Sequence, residues 1–234
     1  MPTYGLILTA AGASTRFGPG VSKVLRELAG APVLVHGARA FREALGVTPV
    51  VVTARPGDVA AIRALVRTER ALAGAIVVEG GASRQASVAK GLAALPPGVD
   101  VVLVHDAARP LVSPALVRRV ADAAARDGAA VPALPVTDSV HRADAAGRLV
   151  ETLPRAALRA VQTPQAARLD LLRRAFAEAD RAGREATDEV GLLVAAGIPV
   201  TAVPGDAWNR KLTESADLAW AEAYLRGTAG PGAR

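Results

Sequence analysis

Along the first half of the chain, strand-length apolar runs alternate with segments whose apolar positions recur at helical spacing. Residues 4–9, 48–53, 75–78 and 99–104 read as buried strands, and 32–45, 58–69, 83–95 and 113–128 as the helices that follow them. Local punctuation agrees with that reading. Pro32 and Ser113-Pro114 stand at helix starts, Ser83 stands where a side-chain cap is wanted, and Gly128 stands where the fourth helix ends. The alternation predicts an α/β fold of Rossmann-like type, a mostly parallel sheet with helices on both faces. Ligands bind such sheets beyond the carboxyl ends of the strands. Chemistry is therefore expected in the loops after Thr9, Val78 and Val104.

The rhythm changes after Ala129. Residues 136–141 and 148–152 read as two strands joined by a polar loop, 142–147, ending in glycine; together they predict a β-hairpin arm projecting from the sheet. Helical spacing returns at 166–181 and 188–196, a strand follows at 200–203, a last helix at 215–225, and 227–234 is left as a mobile tail. No repeat or linker divides the chain, so residues 1–234 are expected to form a single domain carrying an arm at about 136–155.

Composition narrows the class. A hydrophobic fraction of 51% argues against disorder, and 234 residues suffice for a sizeable core. No apolar run approaches the ~18 residues of a membrane span. The N-terminus lacks a basic region ahead of an apolar core, and a soluble cytoplasmic enzyme is the expectation. The absence of cysteine excludes disulfides, thiolate catalysis and Cys-ligated zinc. The net charge of +6 rests on dispersed arginines, and aromatic residues make up only 3%, so a polyanionic small molecule suits the charge better than nucleic acid does. Lysine is confined to Lys23, Lys90 and Lys211.

Three loops hold the candidate chemistry. The first, Ala10-Ala11-Gly12-Ala13-Ser14-Thr15-Arg16, with Lys23 beyond it, could bring backbone amides and two cations to a phosphate; by itself it could equally be an ordinary small-residue turn. It has neither the Walker sequence nor the dinucleotide glycine spacing. The second, Gly80-Gly81-Ala82-Ser83-Arg84-Gln85-Ala86-Ser87, admits a flat base against the backbone or is a capped turn. The third, His105-Asp106-Ala107-Ala108-Arg109-Pro110, puts a carboxylate at the end of a central strand, where it could hold a metal or act as a turn residue. His105 reads as a packed histidine.

These three loops occur in this order in one family, and the chain resembles the 2-C-methyl-D-erythritol 4-phosphate cytidylyltransferases of the non-mevalonate isoprenoid pathway. The likeness continues through Pro135-Val136-Thr137-Asp138-Ser139, residues 152–155, Gln162-Thr163-Pro164-Gln165, Thr187-Asp188-Glu189 and Asn209-Arg210-Lys211-Leu212-Thr213. It implies transfer of CMP from CTP to a polyol phosphate, with Mg²⁺ as cofactor and a homodimer exchanging arms at the active site. By the same resemblance, Ala10, Ala11, Gly12, Gly81, Ser87 and Asp106 serve the nucleotide, and Arg16, Lys23 and Lys211 are the catalytic cations. Asp106, Ala107, Arg109, Ser139, Arg155, Thr163 and Lys211 serve the acceptor, with Ser139 and Arg155 coming from the partner's arm, and Asp106 stands near the metal. This chain departs from the family's usual pattern at Ser22-Lys23-Val24, Ser139, Ala82 and Trp208; were an acidic group needed beside Trp208, Asp206 would be the substitute. A second catalytic domain is sometimes fused to such chains, and no room for one is expected here.

The implied reaction needs no general base, because an acceptor phosphate is already an anionic nucleophile, and catalysis falls to alignment and charge stabilisation. Rival readings are a cytidylyltransferase for ribitol 5-phosphate or another sugar phosphate, a nucleotide sensor without turnover, and a dinucleotide-dependent dehydrogenase. Lys90 lies on a helix with no motif around it.

Overall fold

The computed structural model describes residues 1–12, 17, 22–46 and 48–228. Strands β1 (Tyr4–Ala10), β4 (Val50–Ala54), β5 (Ile76–Glu79) and β6 (Val101–Asp106) alternate with helices α1 (Val33–Leu45), α2 (Val59–Thr68), α3 (Arg84–Ala94) and α4 (Pro114–Asp127). A two-residue-stranded hairpin, β2 (Glu27–Leu28) and β3 (Ala31–Pro32), precedes α1; no periodicity announces it. β1 lies between β4 and β6, all parallel, and β5 extends the sheet beyond β4. The caps anticipated from sequence form: Ser83 Oγ accepts from Ala86 N at 3.1 Å and Ser113 Oγ from Leu116 N at 3.2 Å.

Alternating residues of each central strand feed opposite cores. Leu6, Leu8, Val52 and Leu103 join one cluster with residues of α1, α2 and α4, while Ile7, Val51, Val102 and Val104 join a second with residues of α3, α5 (Leu169–Arg181) and α6 (Glu189–Ala195). This is the period-2 burial of a sheet covered on both faces. No helix among the described residues is long and apolar enough to cross a membrane.

The second half departs from the sequence reading in particular places. Ala129–Pro135 is a strand, β7, although Pro132 and Pro135 argue against one. It is tolerated because the prolines need only accept; Pro132 O receives Gln162 N at 2.8 Å. Residues 166–168, expected to open a helix, belong instead to β11 (Gln165–Arg168), which fills the slot between β6 and β7 antiparallel to both. Short apolar runs do not distinguish strand from helix, and here the open slot decides. β10 (Arg159–Val161) pairs antiparallel with the far end of β7, and β12 (Thr201–Pro204) pairs with β7 in parallel. The arm is shorter than expected: β8 (Val140–Ala143) and β9 (Leu149–Leu153) form a separate two-stranded sheet, and residues 136–139 lie outside it. The last helix, α7 (Ser215–Thr228), takes in two residues assigned to the tail, and 229–234 lie outside the described residues.

Candidate active site

The carboxyl ends of β1 and β6 and the loop after β5 surround a cleft of about 360 Å³. Ala10, Ala11, Gly12, Lys23, Gly81, Ser87, Asp106 and Lys211 all line it, together with Thr9, Ser83 and Arg84. The double glycine is dictated by space. A Cβ on Gly80 would come 2.4 Å from Ala11 Cβ, and one on Gly81 2.5 Å from Ala86 Cβ. Ser87 completes the loop: its Oγ accepts from Gly81 N at 3.0 Å and donates to Ser83 O at 2.9 Å. The result is a wall of backbone and small side chains against which a flat group can lie.

Asp106 is the electrostatic centre. Its Oδ2 meets Lys211 Nζ at 2.8 Å and Arg109 Nε at 3.8 Å; its Oδ1 meets Arg84 Nε at 3.3 Å and the Thr9 hydroxyl at 3.2 Å. Burial alone would push this carboxyl up, but Lys211 and Arg84, with Arg109 behind them, hold it well below the usual carboxylate range. Arg84 also grips Glu189 at 2.7 and 2.9 Å in a bidentate pair. Burial opposes its charge, yet Glu189 and Asp106 together raise the guanidinium above its ordinary value. Arg84, Arg109 and Lys211 thus outnumber Asp106 and Glu189, and Lys23 adds a further cation at the rim. The surplus positive charge suits a polyanion.

Below the cleft floor a buried hydrogen-bond chain has its direction fixed by its ends. The Arg109 carbonyl, 3.2 Å from His105 Nε2, can only accept, so Nε2 carries the hydrogen. His105 Nδ1 therefore accepts from the Thr163 hydroxyl at 3.0 Å, and that oxygen in turn accepts from Asp106 N at 3.1 Å. Burial pushes the His105 imidazole down to about 4, which keeps it neutral. The packed-histidine reading of His105 fits: it is fully buried, with Phe41 5.0 Å away, ring centroid to centroid.

The remaining expected residues are placed differently. Thr163 and Ala107 are buried behind the lining, and the Thr163 hydroxyl is engaged as just described. Arg109 donates to Asn209 O at 2.7 Å and meets the cleft only through Asp106. Ser139 and Arg155 are exposed on or beside the arm, away from this chain's own cleft lining. Arg16 lies outside the described residues. Asp206 hydrogen-bonds Trp208 N and Gln162 and does not line the cleft. Sequence reasoning gave no role to Arg84 or Glu189, nor to the Gln162 and Asn209 side chains that tie the loop between β10 and β11 to residues 206–209. Arg84 and Glu189 are 105 positions apart, and only the fold pairs them. Among the described residues no three acidic or histidine side chains cluster as metal ligands.

A family model described as IspD, 2-C-methyl-D-erythritol 4-phosphate cytidylyltransferase, matches residues 5–227. The chain belongs to this family. A relative of that name from Frankia casuarinae is 47% identical over 226 residues, covering 96% of this chain and 82% of that protein. Another, from Acidobacterium capsulatum, is 42% identical, covering 94% and 96%. The chain is also 46% identical to a bifunctional enzyme IspD/IspF from Anaeromyxobacter dehalogenans, of which the match spans 56%. Among solved structures, 2-C-methyl-D-erythritol 4-phosphate cytidylyltransferase from Thermus thermophilus superposes with a TM-score of 0.77 at 40% identity, covering 97% of this chain and all of that one. The 4-diphosphocytidyl-2C-methyl-D-erythritol synthase from Anaerococcus prevotii superposes at 0.83 with 26% identity, covering 96% and 99%. The IspD match takes in every residue that lines the cleft.

Proposed function

We propose that this chain transfers CMP from CTP to 2-C-methyl-D-erythritol 4-phosphate, giving CDP-methylerythritol and pyrophosphate for isoprenoid precursor biosynthesis. The observation that carries the reading is the cleft itself, where Lys211 and Lys23 line one pocket with Asp106, Gly81 and Ser87. Cytosine and ribose lie against Ala10, Ala11, Gly12, Gly81 and Ser87. A phosphate oxygen of the acceptor attacks the α-phosphorus in line, the bond from that phosphorus to the bridging oxygen breaks, and pyrophosphate leaves with the electron pair. Lys211 turns from Asp106 to the charge developing on the α-phosphate, and Lys23 holds the leaving phosphates. A compact ammonium can follow a shifting charge where a planar guanidinium cannot. Arg16 is assigned to the same phosphates on the resemblance alone.

Asp106 is the single carboxylate among the described lining residues. Magnesium is commonly held by one or two carboxylates plus substrate phosphates. The donor set therefore fits an ion that would come with the triphosphate: Asp106 would hold it, and it would supply neutralisation of phosphate charge. Arg109 orients Asp106. Ser139 and Arg155, carried by the arm, serve the acceptor in a neighbouring subunit of a homodimer. The exposed apolar side chains of Leu149 and Val150 on the arm support that arrangement.

A screen of CTP, ATP, GTP and UTP against methylerythritol phosphate and ribitol 5-phosphate, read by pyrophosphate release, tests the proposal. Release is expected with CTP and methylerythritol phosphate together. Preference for a purine nucleotide would overturn the base assignment, and turnover with ribitol 5-phosphate alone would overturn the acceptor.

A further inference from the structure

Lys211 is exposed, yet the backbone on both sides of it is pinned. Asn209 is fully buried and donates to Thr163 O at 2.8 Å, while Leu212, also fully buried, donates its N–H to Ala108 O at 2.8 Å. Lys23 Nζ donates to Leu212 O at 3.0 Å. Beyond this, one face of α7 closes on the same segment. Asp217 Oδ2 accepts from Thr213 N at 2.6 Å, Thr213 Oγ1 at 3.0 Å and Glu214 N at 2.9 Å. A turn further on, the Trp220 ring lies 4.7 Å beneath the Arg210 guanidinium and 5.8 Å from Trp208, to which it is nearly parallel. Tyr224, the next turn, is 4.4 Å from Trp208. Positions 217, 220 and 224 share a helix face. The chain's two tryptophans and one of its two tyrosines are thus gathered against the segment that carries Lys211.

We propose that this face of α7 is a splint for Lys211, with Arg210 and Trp220 as positioning residues: the guanidinium stacked on the indole fixes the residue next to the lysine, and the aromatic stack fixes Trp208 on the other side of Asn209. A cation–aromatic contact of this kind adds modest energy but strong orientation. The apolar side chains Leu218, Trp220, Tyr224 and Leu225 of α7 pack on a cluster that includes Leu212. Holding the helix and holding the loop are therefore one interaction. The proposal rests on the reading of Lys211 as a catalytic cation.

Steady-state kinetics of CTP-dependent pyrophosphate release test it. Arg210 is exposed, so Arg210→Met removes the stacked cation without opening the core. Trp220→Leu removes the ring, and Trp220→Phe keeps an aromatic face. The expected result is a fall in kcat of roughly 10-fold for Arg210→Met and Trp220→Leu with the CTP KM within about twofold, and recovery in Trp220→Phe. In a Lys211→Ala background the same substitutions should cost nothing further, because they act through the missing ammonium. Unchanged kcat in Arg210→Met, or an equal loss whether or not Lys211 is present, would overturn the splint. Full activity of Lys211→Ala would instead overturn the catalytic reading beneath it.

Discussion

In the cleft Asp106 is 6% exposed and is answered within the chain by Lys211, Arg84, Arg109 and Thr9, whereas on the arm Leu149 and Val150 leave 67% and 59% of their surface open. Arg155 and Ser139 are exposed as well. The cleft is built on strand ends clamped by two cores, so its groups are preorganised before any ligand arrives. The arm holds together through its β8–β9 ladder, the Arg142–Glu151 pair and the Asp144 turn, and buries little of its own. An isolated hairpin is marginal in water. The contrast supports the proposed division of labour, in which residues for the reacting phosphates would sit on the rigid part and residues for the acceptor on a part that a second subunit would complete.

The largest expected effect lies on the cleft side. Lys211→Ala and Lys23→Ala should each lower kcat by ~10²-fold or more with the fold intact, as for removal of transition-state charge stabilisation. Arg155→Ala should act chiefly on the KM for the acceptor. Loss of kcat in Arg155→Ala with acceptor KM unchanged would erase the distinction between the two regions.

His105 makes the rigidity of the cleft floor measurable. Folded, it stays neutral down to about pH 4, while the unfolded chain takes up a proton near the ordinary value of 6.5. Its contribution is fully present above pH 6.5 and is lost as the pH falls toward 4, in all about 3 kcal/mol. Thermal unfolding across that window should show the loss, and His105→Gln should flatten it. Arg155→Ala, on the arm, should leave the profile as it is.

Mixing tests the arm directly. When Lys23→Ala and Arg155→Ala chains are unfolded and refolded together, a mixed dimer collects both defects in one site and leaves the other intact. Assayed with acceptor well below the KM of Arg155→Ala, where both parent dimers are nearly inactive, random pairing should return roughly a quarter of wild-type activity. No recovery among demonstrated mixed dimers would confine Arg155 to its own subunit.

The smallest effect separates motif from contact. From sequence, Lys90 is expected to be silent, but its Nζ donates to Gly80 O at 2.8 Å, on the double-glycine wall. The bond is exposed, and a net worth of about 0.5 kcal/mol predicts a two- to threefold rise in the CTP KM of Lys90→Ala with kcat unchanged. An unaltered KM would return Lys90 to the surface.

How much was legible follows from range. The first four strands and helices are announced by local periodicity and caps, and the structure keeps each to within about two residues. β7 and β11 were not legible, because Pro132 argues locally against a strand and residues 166–168 suit either conformation; the slot beside β6 decides both. In the site, the loops that line the cleft were visible as small-residue runs, two of them with Lys23 or Asp106 beside them. The pairing of Arg84 with Glu189 was not, since a charged residue announces no partner 105 positions away.

Sequence alone therefore determined the alternation, the doubly covered sheet, the loops at its carboxyl edge and the lysines set among them, because these follow from periods, caps and side-chain chemistry within a few residues. Only the tertiary structure decided that Asp106 is held ionised by three cations, that His105 must be neutral and which way its hydrogen points, and that α7 returns to pack against the segment that carries Lys211. Each of these depends on burial and on contacts between distant segments, and desolvation strengthens such contacts only once the chain has closed around them.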